Sequence, residues 1–83
     1  MNEKQWADLL KYASPYSILV VTFYGRIIEL KCPFKVELKY NIATMKEGEL
    51  VPVEQVKISS SLITVYIIHG EAYYYYHFNI IIE

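Results

Sequence analysis

Side chains that could ligate a metal or act as nucleophile and base are few in this chain. His69, His77 and Cys32 are its only imidazole and thiol groups. We expect His69 in a turn and His77 several residues along the next strand, too far apart to share a zinc ion. Residues 59–61 are three serines, typical of a polar turn before a strand. The sequence therefore predicts no metal site, no cofactor and no enzymatic activity.

Aromatic side chains are the stronger candidates for binding, because residues 72–82 read AYYYYHFNIII. His69-Gly70-Glu71 separates this run from SSSLITVYII at residues 59–68, which predicts a β-hairpin. The two turn residues are either His69-Gly70 or Gly70-Glu71, and the facing pattern is the same for both. We assign one face of the hairpin to the core, comprising Ile63, Val65, Ile67, Tyr74, Tyr76, Phe78, Ile80 and Ile82.

The other face of the hairpin then carries Tyr66, Tyr73, Tyr75 and His77, which we predict to be partner-binding residues. The cores of protein interfaces are rich in tyrosine and poor in lysine. Residues 58–83 contain no lysine or arginine. The sequence therefore favours a small, non-catalytic protein–protein interaction module that binds another protein or associates with a second copy of itself.

Two alternatives remain open at the level of sequence. A single-stranded nucleic-acid binder would stack bases on the tyrosines and take its positive charge from Lys31, Lys35 and Lys39. An orphan or mobile-element accessory protein would act by blocking a partner. The net charge of −1 gives no long-range attraction for nucleic acid or an anionic membrane, which weakens the first alternative.

The cellular setting follows from what the sequence lacks. Its apolar runs are much shorter than the roughly 18 residues of a membrane-spanning helix. Its start, MNEKQWADLL, has no apolar stretch of the signal-peptide type. A single cysteine cannot form an intrachain disulfide, which suits a reducing compartment. We expect a cytoplasmic protein with no membrane partner.

The elements that must position the tyrosines begin with a predicted helix over residues 3–13. Trp6, Leu9, Leu10 and Ala13 recur at helical spacing, and Pro15 would end the helix. Residues 17–24 (SILVVTFY) follow as an apolar, β-branched run, which predicts a strand covered on both faces. Gly25-Arg26 then predicts either a turn into a second strand, IIELKC, or a bulge at Gly25 in one long bent strand.

The middle of the chain predicts further strands and one bend. Residues 34–40 (FKVELKY) alternate strictly, with Phe34, Val36, Leu38 and Tyr40 expected to face inward. Residues 41–49 predict a loop. In LVPVEQVKIS the apolar phase changes, which predicts a bulge or bend at Glu54-Gln55, and Pro52 favours an edge strand.

Together these elements predict one domain spanning residues 1–83, of the α+β class and mostly β. The helix at 3–13 precedes five or six antiparallel strands, which form a curled sheet or a small, partly open barrel over residues 17–82. The general architecture would be SH3-like, Sm-like or OB-like. A hydrophobic content of 54% supports a folded chain.

Overall fold

Backbone pairing defines nine strands and one short 3₁₀ turn in the computed structural model. The structure describes residues 5–82, with the side chains of residues 5, 6 and 11–13 excepted. The strands are β1 (Gln5–Ser14), β2 (Ser17–Thr22), β3 (Ile27–Lys31), β4 (Phe34–Leu38), β5 (Leu50–Val53), β6 (Gln55–Ile58), β7 (Thr64–Ile68), β8 (Glu71–Tyr74) and β9 (Phe78–Ile82). The 3₁₀ turn, Tyr75–His77, connects β8 to β9.

The strands form two antiparallel sheets. A six-stranded sheet with the order β3-β2-β1-β9-β4-β5 curls as a half-barrel, and a three-stranded sheet has the order β6-β7-β8. The chain passes between the sheets at Glu54, where β5 ends and β6 begins. This confirms the predicted bend. Pro52 lies in β5 at the edge of the larger sheet, where its missing N–H costs no ladder hydrogen bond.

The predicted N-terminal helix is wrong, because this segment is strand β1. The predicted α+β class with five or six strands is wrong with it, since residues 5–82 contain nine strands and no α-helix. β1 pairs with β9 over residues 5–7 and with β2 over residues 7–14, so partners on two sides hold it in the sheet. Its register with β2 shifts between Leu9 and Lys11 and again between Tyr12 and Ser14. Each shift adds one residue and interrupts the alternation of faces. Apolar residues in such a strand recur every three or four positions and imitate a helical stripe.

One hydrophobic core lies between the two sheets. The small sheet contributes Val56, Tyr66 and Ile68, all buried. The large sheet contributes the buried side chains Ile18, Val20, Phe34, Val36, Leu38, Val51, Val53, Phe78 and Ile80. Tyr66 packs edge-on against Phe34, with ring centroids 5.7 Å apart, and lies 6.0 Å from the ring of Phe78. Tyr66 therefore joins the two sheets through aromatic contacts.

The hairpin of β7 and β8 is present as predicted, with His69-Gly70 as its turn. Both turn residues have positive φ, 53° and 79°, as a type I′ turn requires. The predicted assignment of faces is wrong, since Tyr66 is buried while Tyr74 is exposed. Alternation shows which residues share a face, but β7 is apolar on both faces and cannot show which of them points inward.

The second half of the tyrosine run leaves the hairpin altogether. The 3₁₀ turn interrupts the predicted strand, and Tyr76 within it is exposed instead of buried. Phe78 and Ile80 return to the core on β9, as predicted.

A second hairpin joins β2 and β3, also as predicted, but β2 ends at Thr22 instead of Tyr24. Phe23, Tyr24 and Gly25 form the loop, which is closed by a hydrogen bond of 2.7 Å from the Thr22 N–H to the Arg26 carbonyl. Gly25 has φ of +80°, a conformation that costs glycine little. The two aromatic residues therefore stand at the tip of a hairpin.

Strand β4 follows its predicted alternation as far as Leu38. Phe34, Val36 and Leu38 are buried, but Tyr40 lies beyond the strand and is exposed, so its predicted inward orientation is wrong. Residues 41–49 form a loop as predicted, with Met45 buried. In the part of the chain that the structure describes, no helix has the length and apolarity needed to cross a membrane.

Candidate functional site

A groove of about 450 Å³ opens between β1, the turn before β7 and the 3₁₀ turn. Its lining consists of Leu9, Leu10, Ile58, residues 62–64, Tyr75 and Tyr76, and we call it the aromatic groove. None of these lining side chains carries a charge. The groove is therefore suited to apolar and aromatic groups, because a charged group would be desolvated there without a counter-ion.

The shift of register in β1 helps to build this groove. In a regular strand, consecutive side chains point to opposite faces of the sheet. The shift between Leu9 and Lys11 interrupts that alternation, and Leu9 and Leu10 both line the groove. Bulges of this kind commonly redirect side chains next to functional sites.

Leu62 has the most unusual environment in the groove. It ends a turn closed by hydrogen bonds of 2.9 Å from the Leu62 N–H to the Ser59 carbonyl and 3.1 Å from the Ile63 N–H to Ser59 Oγ. Its φ is +63° and its side chain is 83% exposed. A left-handed conformation costs a non-glycine residue about 1–2 kcal/mol. Neither the turn geometry nor the core accounts for a leucine here.

Ring contacts hold the tyrosines of the 3₁₀ turn in place. Tyr76 stacks on Tyr74, with ring centroids 5.4 Å apart and planes inclined by 20°. Tyr75 packs edge-on against Tyr76, with ring centroids 5.7 Å apart. The centroid of the His77 ring lies 4.7 Å from that of Tyr76. Because each ring limits the rotation of its neighbours, this surface loses little side-chain entropy when it is covered.

The 3₁₀ turn is also tied to the loop that follows β4. The Tyr40 hydroxyl and His77 Nδ1 form a hydrogen bond. The Lys39 N–H donates a second bond, of 3.0 Å, to the His77 carbonyl. The rings of Tyr40 and His77 also pack edge-on, 5.5 Å apart. These contacts fix the turn that presents Tyr75 and Tyr76.

A smaller cavity of about 220 Å³ adjoins the groove and shares Leu9, Tyr75 and Tyr76 with it. Polar side chains line part of this cavity, namely Asp8, Lys39 and Asn79. The ring of Tyr66 contributes to its wall from the core side. The polar side chains give this end of the surface a mixed character, in contrast to the uncharged groove.

The Tyr66 hydroxyl is buried, and among the described residues it has no hydrogen-bond partner. Burial raises the pKa of Tyr66 above its usual range, and the nearby Tyr75 and Cys32 add to the effect. Burial likewise raises the pKa of the half-buried Cys32 thiol. Both groups stay neutral at physiological pH and belong to the core.

The four residues predicted to bind a partner do not form one surface. Tyr75 lines the groove, and His77 lies next to it, half-buried against Tyr76. Tyr66 is only 1% exposed, so it is not accessible on the predicted face. Tyr73 is half-buried and packs edge-on against Phe78, with centroids 6.0 Å apart. The structure thus directs Tyr66 and Tyr73 towards the core and leaves Tyr75 and His77 near the groove.

Of the eight residues that line the groove, the sequence predicted only Tyr75 as a binding residue; it missed Leu9, Leu10, Ile58, Leu62, Ile63, Thr64 and Tyr76. One signal was available, because the apolar Leu62 directly follows three serines that predict a polar turn. The sequence assigned Leu9 and Leu10 to a helix, where the structure has β1, and it assigned Ile63 and Tyr76 to the core face of the hairpin.

The lysines proposed for nucleic-acid binding differ in their relation to the tyrosines. Lys31 ends β3 and Lys35 lies on β4, and neither lines the aromatic groove. Lys39 lines the smaller cavity beside Tyr75 and Tyr76, but Asp8 shares that cavity. The aromatic groove itself therefore has no positive charge in its lining.

Among the side chains that the structure describes, no three His, Cys, Asp or Glu residues lie close enough together to hold a metal ion. Comparison of the chain with models of known protein families, with curated proteins and with solved structures found no match.

Proposed function

We propose that this chain is a small, non-catalytic interaction module that binds a protein in the aromatic groove. The observation that carries the proposal is Leu62, an apolar side chain that is 83% exposed on a left-handed backbone. Its position weakens the free energy of folding and contributes nothing to the core. Strained residues of this kind cluster at binding sites, where contact with a partner offsets their cost.

The composition of the surrounding surface supports a protein as the bound partner. Leu10, Ile58, Tyr75 and Tyr76 are exposed and surround the same groove as Leu62. Tyrosine is enriched among the residues that dominate binding energy, and charged residues are depleted from the centres of interfaces. Rings that are already held by their neighbours add binding area at a low entropic cost.

Nucleic acid is the weaker candidate for this surface. Proteins that stack bases on aromatic side chains also neutralise phosphates along a basic groove. The aromatic groove has no cationic lining residue, and Lys39, in the adjoining cavity, is accompanied by Asp8. A protein partner needs no such positive track.

Photo-crosslinking tests the proposal directly. A photoreactive phenylalanine analogue is placed at Leu62 and, as the matched control, at Lys35, which is exposed on β4. Neither position is in the core, so we expect both variants to fold. After irradiation in cells of the native host, we expect a discrete protein adduct from position 62 and none from position 35. An adduct with nucleic acid, or equal adducts from both positions, would refute the proposal.

A further inference from the structure

The loop between β2 and β3, together with the first residue of β3, carries a second exposed apolar surface, which we call the hairpin tip. It consists of Phe23, Tyr24 and Ile27, with exposed fractions of 80%, 73% and 62%. Phe23 and Tyr24 pack edge-on against each other, with ring centroids 5.4 Å apart. Monomeric proteins rarely leave several large apolar side chains together in water.

We propose that the hairpin tip of one copy of this chain occupies the aromatic groove of a second copy, reciprocally, in a two-fold symmetric dimer. This inference rests on the proposed function and names the partner as the chain itself. The tip is a convex apolar projection and the groove is a concave apolar site on the same molecule. Their shapes and chemistry therefore match each other.

The absence of charge on both surfaces supports this contact. The three side chains of the tip are uncharged, as are all those that line the groove. Burying one against the other therefore desolvates no ionised group, which is the main cost of covering a polar surface. Arg26 is exposed next to the tip, and Asp8 is exposed next to Leu9 in the groove. These two side chains are available to pair at the rim of each contact.

The exposed area favours a reciprocal dimer over a single contact. A fully covered large apolar side chain buries about 150–250 Å². At the observed exposures, the three side chains of the tip together present roughly 400 Å² of accessible surface. With a similar area from the groove, one contact would bury about 800 Å², which is the size of a weak crystal contact. Two reciprocal contacts would bury about 1,600 Å², the standard size of a stable interface.

The topology places the tip and the groove close enough for such an exchange. Ala7 of β1 pairs with Thr22, the residue directly before the tip. Leu9 and Leu10 of the groove follow only two and three positions further along β1. At about 3.4 Å per residue, tip and groove lie within roughly 15 Å of each other along the sheet. A two-fold axis between them brings each tip to the other copy's groove.

A mass measurement tests the proposal, using one variant of each surface in the full chain, separately and mixed. The tip variant carries Phe23→Ser and Tyr24→Ser, and the groove variant carries Leu62→Glu. All three side chains are largely exposed, so the folds are expected to persist, with thermal unfolding as the check. The molar mass of each protein is measured by light scattering over a concentration series.

We expect the native chain to dimerise and each variant alone to dimerise at least about tenfold more weakly. In an equimolar mixture, a mixed dimer keeps one intact contact of about 800 Å² and lacks the other, so the mixture should not recover the mass of the native chain. A native chain that stays monomeric, or a tip or groove variant that dimerises normally, would overturn the proposal. A mixture that recovers the native mass would overturn the reciprocal geometry, because one contact would then suffice.

The failure of this proposal and that of the proposed function give different results. If the native chain is monomeric but position 62 crosslinks to another protein, the self-association fails and the interaction module stands. If there is neither a dimer nor a protein adduct at position 62, both proposals fail.

Discussion

Tyr40 and His77 share a side-chain hydrogen bond across 37 positions of the sequence. The bond ties the loop after β4 to the 3₁₀ turn that carries Tyr75 and Tyr76. Two rings of the aromatic groove are therefore positioned by a contact outside the groove. This contact should affect binding more than it affects folding, because Tyr40 is exposed and His77 is only half-buried.

Tyr40→Phe removes this hydrogen bond while keeping the ring. We expect the free energy of unfolding to fall by less than about 1 kcal/mol, because an exposed neutral hydrogen bond contributes little. The crosslinking yield at position 62 should fall more clearly, since the 3₁₀ turn loses its anchor. Tyr74→Phe is the control, because no hydrogen bond of its hydroxyl is seen among the described residues. Equal effects of the two substitutions would contradict this role for Tyr40.

Tyr66→Phe should leave the protein at least as stable as the native chain. The substitution removes a buried hydroxyl that has no partner among the described residues. Leaving such a group unsatisfied costs about 1–3 kcal/mol, so we expect an unchanged or higher free energy of unfolding in urea. A loss of more than about 1 kcal/mol would show that the hydroxyl has a partner after all.

The same substitution should change the response to alkaline pH. Burial raises the pKa of Tyr66 in the folded state, so the unfolded chain releases this proton first. The stability contribution is complete below about pH 10 and is lost as pH rises towards the folded pKa, by up to about 1.4 kcal/mol per pH unit. We expect Tyr66→Phe to flatten this decline and Tyr74→Phe, at an exposed tyrosine, to preserve it.

Truncation of Tyr66 on β7 and of Tyr76 in the 3₁₀ turn tests which of these two tyrosines belongs to the core. Tyr66→Ala should cost about 3–5 kcal/mol of the free energy of unfolding, because it opens a cavity between the sheets. Tyr76→Ala should cost about 1 kcal/mol or less, because its ring is exposed. Chemical denaturation of the two variants measures both values. The reverse order would restore the assignment that the sequence alone suggested.

Leu62→Asn should stabilise the fold while it weakens binding. Asparagine tolerates the left-handed conformation that leucine adopts here at a cost, so we expect a gain of about 1 kcal/mol in the free energy of unfolding. The apolar contact with a partner is lost at the same time, and less protein should be captured in the groove. Ser61→Asn, one position earlier in the turn, serves as the control. A destabilised Leu62→Asn variant would mean that Leu62 packs within its own chain.

Local sequence patterns correctly predicted the elements whose conformation depends on a few neighbouring residues. Strict alternation predicted β4, Pro52 predicted an edge strand, and the change of phase predicted the bend at Glu54. Each of these signals depends on backbone geometry within a few residues. The hairpin of β7 and β8 belongs to the same class, although the sequence left open whether its turn is His69-Gly70 or Gly70-Glu71.

Elements whose conformation depends on residues far away in the sequence could not be predicted from local patterns. β1 imitates a helix because two shifts of register interrupt its alternation, and only its pairing with β2 and β9 makes it a strand. The buried face of β7 is chosen by the large sheet, which covers Tyr66. The aromatic groove combines β1, the Ser59–Ile63 turn and the 3₁₀ turn, three segments whose proximity no local pattern reveals.

The central claim is that the aromatic groove binds protein, and crosslinking from Leu10, which β1 contributes to the groove, tests it most directly. A photoreactive residue at position 10 is compared in the native background and together with Leu62→Glu, which places a charge in the uncharged groove. We predict a protein adduct in the native background and its loss with Leu62→Glu, at an unchanged unfolding temperature. An adduct of undiminished yield with Leu62→Glu would contradict the account.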